Sequence, residues 1–154
     1  MMKLAAEVIQ LLQGKTLSTA ESCTAGMIGS ALGSVGGASA VFKGGVICYC
    51  NEVKHQMLDV PEQMLSDFGA VSEPVAAAMA QGARNRLHTD IAVSVTGLAG
   101  PGGDEFGNPV GLVYIGYNDQ KQTIVKCCHF SGDRQQVRQQ AAETALAMIL
   151  QYCV

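Results

Sequence analysis

The chain has 154 residues, of which 48% are hydrophobic and 15% are charged, and its formal net charge is −3. This length suits one domain, and the composition is too apolar for a disordered chain. A nucleic-acid-binding surface would be basic, so the net negative charge argues against one. Glu7 and Gln10 interrupt any signal-peptide core, and no apolar run approaches the roughly 20 residues of a membrane span. We therefore expect a soluble, cytoplasmic protein that binds neither nucleic acid nor a membrane.

Helical and strand patterns alternate along the chain. Apolar spacing and capping residues predict helices at 4–12, 23–32, 51–57, a turn opened by Pro61, 73–87 and 134–152. Apolar runs predict strands at 17–20, 45–50, 91–96, 110–117 and 122–130, of which the last two form a hairpin. This alternation predicts a single α/β domain over residues 1–154, a layered α/β/α sandwich with a mixed sheet.

Cysteines and histidines show no metal-site or redox spacing. Of the six cysteines, Cys127 and Cys128 are adjacent, Cys48 and Cys50 are two apart, and no pair has C-x-x-C spacing. Buried free thiols in a reducing compartment are the simplest interpretation. The three histidines are isolated in the sequence, so we expect neither a metal nor another cofactor.

Three reactive side chains lie where predicted strands give way to helices: Ser22, Tyr49 and Lys54. A hydroxyl, a phenol and an amine gathered at such turns can form a nucleophile with its base. Lys54 is either an ordinary exposed lysine or, because the helix N-terminus and partial burial disfavour an ammonium ion, a neutral general base.

Ser22 and Tyr49 each have a purely structural alternative. Ser22 either caps the helix predicted from Cys23 or acts as a nucleophile beside free N–H groups that hold an oxyanion. Tyr49 is either a half-buried strand residue or a phenol that passes a proton or orients Lys54. The sequence pattern alone leaves these alternatives open.

Two further features suggest a site for an anionic ligand. The glycine-rich loop over 97–103 follows a buried strand, where open α/β sheets bind ligands, and Thr96 at the strand end could hydrogen-bond a substrate. Arg134 in the first turn of the last helix could share a phosphate with the helix N–H groups. The alternatives are a plain turn and an exposed arginine.

Several segments together resemble the signature of the CinA C-terminal domain family. They are AESCTAG at 20–26, YCNEVK at 49–54, GAVSE at 69–73, TGLAGPGG at 96–103, PVG at 109–111 and FSGDR at 130–134. Three departures are Ala25 in place of a signature glycine, Asn108 where a lysine is common, and the absence of a proline near Gly36.

The resemblance implies a nicotinamide-nucleotide amidase, which hydrolyses nicotinamide mononucleotide to the acid and ammonia. It implies Ser22 as nucleophile, Lys54 as base and Tyr49 in the catalytic group. It further implies that the substrate, a pyridine nucleotide, contacts the following residues: Glu21, Thr24, Thr96, Gly100, Gly102, Gly103 and Arg134. A homo-oligomer is expected from the family and from general frequency. The alternative is a non-catalytic nucleotide-binding or interaction module of the same type.

Overall fold

The computed structural model describes residues 1–153. The helices of this part are α1 (Met2–Leu11), α2 (Met27–Gly33), α3 (Asn51–Leu58), α4 (Glu62–Phe68), α5 (Glu73–Leu87) and α6 (Arg134–Tyr152), with a 3-10 turn at Ala38–Ala40. The strands are β1 (Leu17–Glu21), β2 (Phe42–Ile47), β3 (Ile91–Gly97), β4 (Leu112–Asn118) and β5 (Thr123–His129).

The strands form one mixed sheet in the order β2-β1-β3-β4-β5. Strand β1 runs parallel to both β2 and β3, whereas β3–β4 and β4–β5 pair antiparallel. The carboxyl ends of β1, β2 and β3 therefore meet at one edge of the sheet, which is where ligands bind in open α/β sheets.

Helices cover both faces of the sheet. Helices α1, α2 and α6 pack together on one face, and α3, α4 and α5 lie on the other. Strand β1 is buried along its whole length, as expected of a central strand covered on both faces. The predicted α/β/α sandwich with a mixed sheet is thus confirmed. Among residues 1–153, none of the helices is both long and apolar enough to cross a membrane.

Two predicted boundaries near the site were wrong. The helix predicted from Cys23 begins only at Met27, because Ala25 and Gly26 adopt φ angles of +47° and +97°, which a helix cannot contain. The strand predicted over 45–50 lies at Phe42–Ile47, since Lys43 and two glycines conceal its start in the sequence and the chain leaves the sheet at Cys48.

Gly82 allows α5 to contact the end of α3. A Cβ at this position would overlap the Leu58 carbonyl oxygen and lie 2.9 Å from the Leu58 carbonyl carbon. Because α3 carries Lys54, this close helix–helix contact sets where that lysine stands relative to the sheet.

Gly82→Ala should therefore destabilise the protein by about 1–3 kcal/mol, although alanine is the better helix former. Gly33→Ala is the matched control, because a Cβ there meets nothing within 4 Å, and it should leave stability unchanged or raise it slightly. Denaturant unfolding of both variants measures the difference. Equal stability of the two variants would show that the α3–α5 contact is not tight.

Candidate active site

A cleft of about 490 Å³ opens at the carboxyl ends of the parallel strands. Ser22 follows β1, Tyr49 and Lys54 follow β2, and Thr96 lies at the end of β3; all four side chains line the cleft. A concave site of this size suits a small-molecule ligand.

Lys54 and Ser22 form a buried pair at the bottom of the cleft. Lys54 is only 1% exposed and Ser22 is 8% exposed, and Lys54 Nζ lies 3.0 Å from Ser22 Oγ. Lys54 Nζ also donates to the Cys48 carbonyl oxygen at 2.9 Å and lies 3.5 Å from the Tyr49 carbonyl oxygen. A neutral amine that donates its two N–H groups to these carbonyls keeps its lone pair for the Ser22 hydroxyl. The pair thus has the geometry of a nucleophile and its general base.

Burial lowers the pKa of Lys54, because desolvation penalises the ammonium ion. Within residues 1–153, no carboxylate forms an ion pair with Lys54. Burial also raises the pKa values of Cys23 and Cys48 to about 11, so both neighbouring thiols are neutral near pH 7 and supply no counter-charge. The interpretation of Lys54 as an exposed surface lysine is therefore wrong. Burial is the largest cause of the lowered pKa of Lys54.

Ser22 is held by a tight turn and does not cap a helix. Its N–H donates to the Val95 carbonyl oxygen at 2.9 Å, and its carbonyl oxygen accepts from the Ala25 N–H at 3.1 Å. The sequence pattern suggested the first N–H groups of the helix after Ser22 as donors for an oxyanion. In the structure, Glu21 accepts hydrogen bonds from the N–H groups of Ile28 and Gly29 in α2, so these groups are not available.

Within the part of the chain that the structure describes, the amide N–H groups of Cys23 and Thr24 have no acceptor. Cys23 also lines the cleft. The N–H of the residue after a nucleophilic serine commonly serves as an oxyanion donor. The turn after Ser22 therefore has an unpaired N–H group at the cleft, that of Cys23, whereas the first N–H groups of α2 are already paired.

Tyr49 contacts Arg134 through its phenol, and the structure does not bring that phenol to Lys54. Arg134 Nη2 donates to the Tyr49 hydroxyl at 2.8 Å, and Arg134 Nη1 donates to the Gly100 carbonyl oxygen at 2.6 Å. Tyr49 is 55% exposed and lies after the end of β2, so the alternative of a half-buried strand residue is wrong. Tyr49 contributes its carbonyl oxygen to Lys54 and its phenol to the mouth of the cleft.

Seven of the ten predicted site residues line the cleft: Ser22, Tyr49, Lys54, Thr96, Gly100, Gly102 and Arg134. The other three, Glu21, Thr24 and Gly103, do not. Glu21 is turned toward α2, and Thr24 borders a shallow groove with Arg138 on the other side of the turn.

Thr96 and Gly100 have structural duties at the cleft wall. Thr96 Oγ1 donates to the Ala70 carbonyl oxygen at 2.8 Å and so fixes the segment before α5. Gly100 has φ of +99°, and a Cβ there would lie 2.7 Å from Val110 Cγ1. Both residues therefore shape the cleft, whatever they contribute to ligand binding.

Comparison with known proteins decides the family. The sequence matches the CinA C-terminal domain over residues 1–153. The chain belongs to the CinA C-terminal domain family. A CinA-like protein of Parasynechococcus marenigrum is 60% identical over 114 residues, which cover 73% of this chain and 27% of the relative. A CinA-like protein of Sulfurihydrogenibium sp. is 46% identical over 140 residues, covering 91% of this chain and 35% of the relative. The chain thus spans about a third of the length of these curated relatives.

Solved structures match over nearly their whole length. The competence/damage-inducible protein CihA of Agrobacterium tumefaciens superimposes with a TM-score of 0.94 at 38% identity, covering 97% of this chain and 93% of that chain. A CinA-superfamily protein of Escherichia coli gives a TM-score of 0.95 at 36% identity, covering 97% and 88%.

Two departures from the CinA signature have structural explanations. Ala25 has φ of +47°, in the left-handed region that favours glycine, so alanine is tolerated there at a cost of roughly 1–2 kcal/mol. Asn108 does not line the cleft; its side chain and its N–H donate to Asp104 at 2.8 and 3.0 Å.

Sequence reasoning missed the acidic side of this CinA cleft, where Asp104, Glu105 and Phe106 lie. Desolvation acts to raise the pKa of Asp104, but hydrogen bonds from Asn108 and Phe106 outweigh it and hold the pKa below its ordinary value. The position of this stretch directly after the glycine-rich loop was the available signal. Residues 1–153 contain no cluster of His, Cys, Asp or Glu side chains arranged to hold a metal ion.

The lowered pKa of Lys54 should appear in the pH dependence of stability. An unfolded lysine titrates at roughly 10.4, so above the folded-state pKa the unfolded chain binds a proton that the folded protein lacks. The unfolding free energy should then rise with pH by up to about 1.4 kcal/mol per pH unit from this group, until the pH passes the unfolded value. Below the folded-state pKa the contribution is flat.

Lys54→Met should lack this rise, whereas the exposed-lysine control Lys126→Met should keep it. Urea unfolding of the three proteins between pH 7 and 9.5 gives the comparison. Parallel curves for the wild type and Lys54→Met would show that Lys54 titrates alike in the folded and unfolded chain.

Proposed function

We propose that this chain is an amidohydrolase that converts nicotinamide mononucleotide to nicotinate mononucleotide and ammonia. The observation that carries the reaction class is the buried Lys54 amine 3.0 Å from Ser22 Oγ. The specific substrate rests on family resemblance. A module that only bound nucleotides would gain nothing from burying an amine without an acidic partner against a hydroxyl.

The first half of the reaction would form an acyl-enzyme. Ser22 Oγ attacks the carboxamide carbon while its proton passes to Lys54 Nζ, which becomes an ammonium ion. The C–N bond of the tetrahedral intermediate then breaks, and Lys54 returns the proton to the leaving nitrogen, which departs as ammonia. The second half reverses these roles with water: Lys54 takes a proton from water, the hydroxide attacks the ester carbon, and Ser22 Oγ leaves with the proton from Lys54.

The negative charge on the intermediate's oxygen needs hydrogen-bond donors. The N–H group of Cys23 is the candidate, because it has no acceptor among residues 1–153 and Cys23 lines the cleft. Preorganised backbone donors of this kind typically contribute several kcal/mol to the transition state.

The mouth of the cleft suits a zwitterionic nucleotide. Arg134 is bonded to neutral acceptors, the Tyr49 hydroxyl and the Gly100 carbonyl oxygen, so its charge stays available for a phosphate. On the acidic side, Asp104 and Glu105 line the same cleft and suit the positive charge of a pyridinium ring. The homo-oligomeric state and the cytoplasmic location stay predictions.

Ser22→Ala should abolish ammonia release from nicotinamide mononucleotide while the fold is retained. Removing a nucleophile typically costs several orders of magnitude in rate. Coupled ammonia detection together with identification of the acid product measures the reaction, and Ser34→Ala, an exposed serine on the far end of α2, is the matched control.

Full activity in a folded Ser22→Ala protein would remove Ser22 from the mechanism. Binding of the mononucleotide by a wild-type protein that releases no ammonia would favour the non-catalytic module.

Lys54→Arg should be nearly inactive although it keeps a positive charge, because a guanidinium cannot accept a proton near neutral pH. Wild-type kcat should rise with pH through an ionisation that Lys54→Met lacks, in keeping with the lowered pKa of Lys54. The pH–rate profiles of the three proteins test this directly. If Lys54→Arg kept a near-normal kcat and changed only KM, Lys54 would be a phosphate-binding residue, and Ser22 would need another base.

A further inference from the structure

Two charged residues, the buried Glu21 and the half-buried Arg138, hold the turn that carries Ser22, and neither lines the cleft. Glu21 is 2% exposed and accepts from the N–H groups of Ile28 at 2.9 Å and Gly29 at 3.0 Å. Arg138, on α6, donates through Nε to the Cys23 carbonyl oxygen at 2.9 Å and through Nη2 to the Thr24 carbonyl oxygen at 3.3 Å. Glu21 thus joins the two ends of the turn, and Arg138 holds its middle.

The two charges are satisfied by neutral groups and not by ion pairing. Besides the backbone groups, Arg138 Nη1 donates to Gln135 Oε1 at 2.9 Å, and Glu21 accepts from Thr19 Oγ1 at 3.4 Å. Within the described residues, neither Glu21 nor Arg138 takes part in a salt bridge. The carboxylate takes N–H groups and the guanidinium takes carbonyl groups, so each charge is matched to the backbone dipole of the required sign. Charge-assisted hydrogen bonds are about twice as strong as neutral ones, so the turn is fixed more firmly than an ordinary loop.

Arg138 also determines where an adjacent N–H group points. In a trans peptide the C=O and the N–H are directed oppositely. Holding the Cys23 carbonyl toward Arg138 therefore directs the Thr24 N–H away from α6, and that N–H has no acceptor within residues 1–153. The guanidinium thus fixes the orientation of the Cys23–Thr24 peptide, which directly follows the Cys23 N–H.

We infer that Arg138 and Glu21 are positioning residues for the nucleophile. They hold the Ser22 turn so that Oγ stays at Lys54 Nζ and the unpaired N–H group of Cys23 stays fixed for a developing oxyanion. This inference rests on the proposed role of Ser22. It replaces the expectation that Glu21 contacts the substrate.

Kinetics of Arg138→Met, Arg138→Lys and Glu21→Gln test the inference. Gln140→Met is the matched control, because Gln140 lies on the same helix and donates to the Ser131 carbonyl oxygen at 2.8 Å, away from the turn. Arg138→Met and Glu21→Gln should each lower kcat roughly 10- to 100-fold, since small misplacements of reacting groups have effects of this size. KM should change less than about threefold, because neither residue lines the cleft.

Two further readouts separate positioning from general packing. Arg138→Lys should recover part of kcat, because an ammonium can still bind one of the two carbonyls. The midpoint of the pH–rate profile should not move, because the burial that lowers the pKa of Lys54 is unchanged. A kcat equal to wild type in Arg138→Met, or an equal loss in Gln140→Met, would overturn the inference while leaving Ser22 and Lys54 in place.

The amide NMR spectrum distinguishes failure of this inference from failure of the proposed function. If the wild type shows no Ser22-dependent ammonia release, the amidase proposal fails. The amide resonances of residues 22–29 still show whether Arg138 holds the turn. Arg138→Lys, which is the milder change, and Arg138→Met should shift the Cys23 and Thr24 amide resonances, whereas Gln140→Met should not. Unshifted resonances in both Arg138 variants would show that Arg138 does not hold the turn.

Discussion

The site depends on one energetically unfavourable feature, the burial of the Lys54 amine without a carboxylate partner among residues 1–153. Lys54 is almost fully enclosed, and within residues 1–153 the hydrogen-bond partners of its nitrogen are the Ser22 hydroxyl and two backbone carbonyl oxygens. An ammonium ion in such surroundings is costly, so the amine is driven toward its neutral form. The rest of the fold has to hold it there.

Each neighbouring element contributes to that enclosure. The chain leaves β2 after Ile47 and turns two carbonyl oxygens toward Lys54 Nζ. Helix α3 is pressed against α5 at Gly82, where only hydrogen fits. Strand β1 runs parallel to β2, so Ser22 emerges at the same edge of the sheet. An antiparallel β1–β2 pair would have placed the hydroxyl and the amine at opposite ends of the sheet.

The layered fold could be predicted from the sequence, because the alternation of helices and strands is a local pattern. The proximity of Ser22 and Lys54 could be predicted too, because each follows a predicted strand where a helix begins. Strand alternation could also have corrected the expectation for Glu21. Leu17 packs in the core shared with α1, α2 and α6, and Ala20 packs with α3 and α5. Residues of a strand alternate between its faces, so Glu21 belongs on the α2 face, as its bonds to Ile28 and Gly29 show. Ser22, one residue further, points to Lys54.

The near-complete burial of Lys54 and the position of Tyr49 could not be predicted from local pattern. Lys54 lies among Glu52, His55 and Gln56, a polar stretch typical of an exposed helix. It is enclosed by the docking of α3 on α5 together with the segments that follow β1 and β2. Tyr49 was placed by strand alternation on a strand that ends two residues earlier. Both depend on tertiary contacts, which local pattern does not contain.

Exposure separates the roles of two cationic residues in one cleft. Arg134 is exposed at the mouth, where it links Tyr49 and Gly100, which are 85 and 34 residues away in sequence. Both acceptors are neutral, and within residues 1–153 no carboxylate forms an ion pair with Arg134, so the guanidinium keeps a charge that can attract an anion. At the bottom, burial lowers the pKa of Lys54 and favours a neutral amine. One end of the cleft can therefore bind a negative group while the other accepts a proton, and solvent access decides which residue does which.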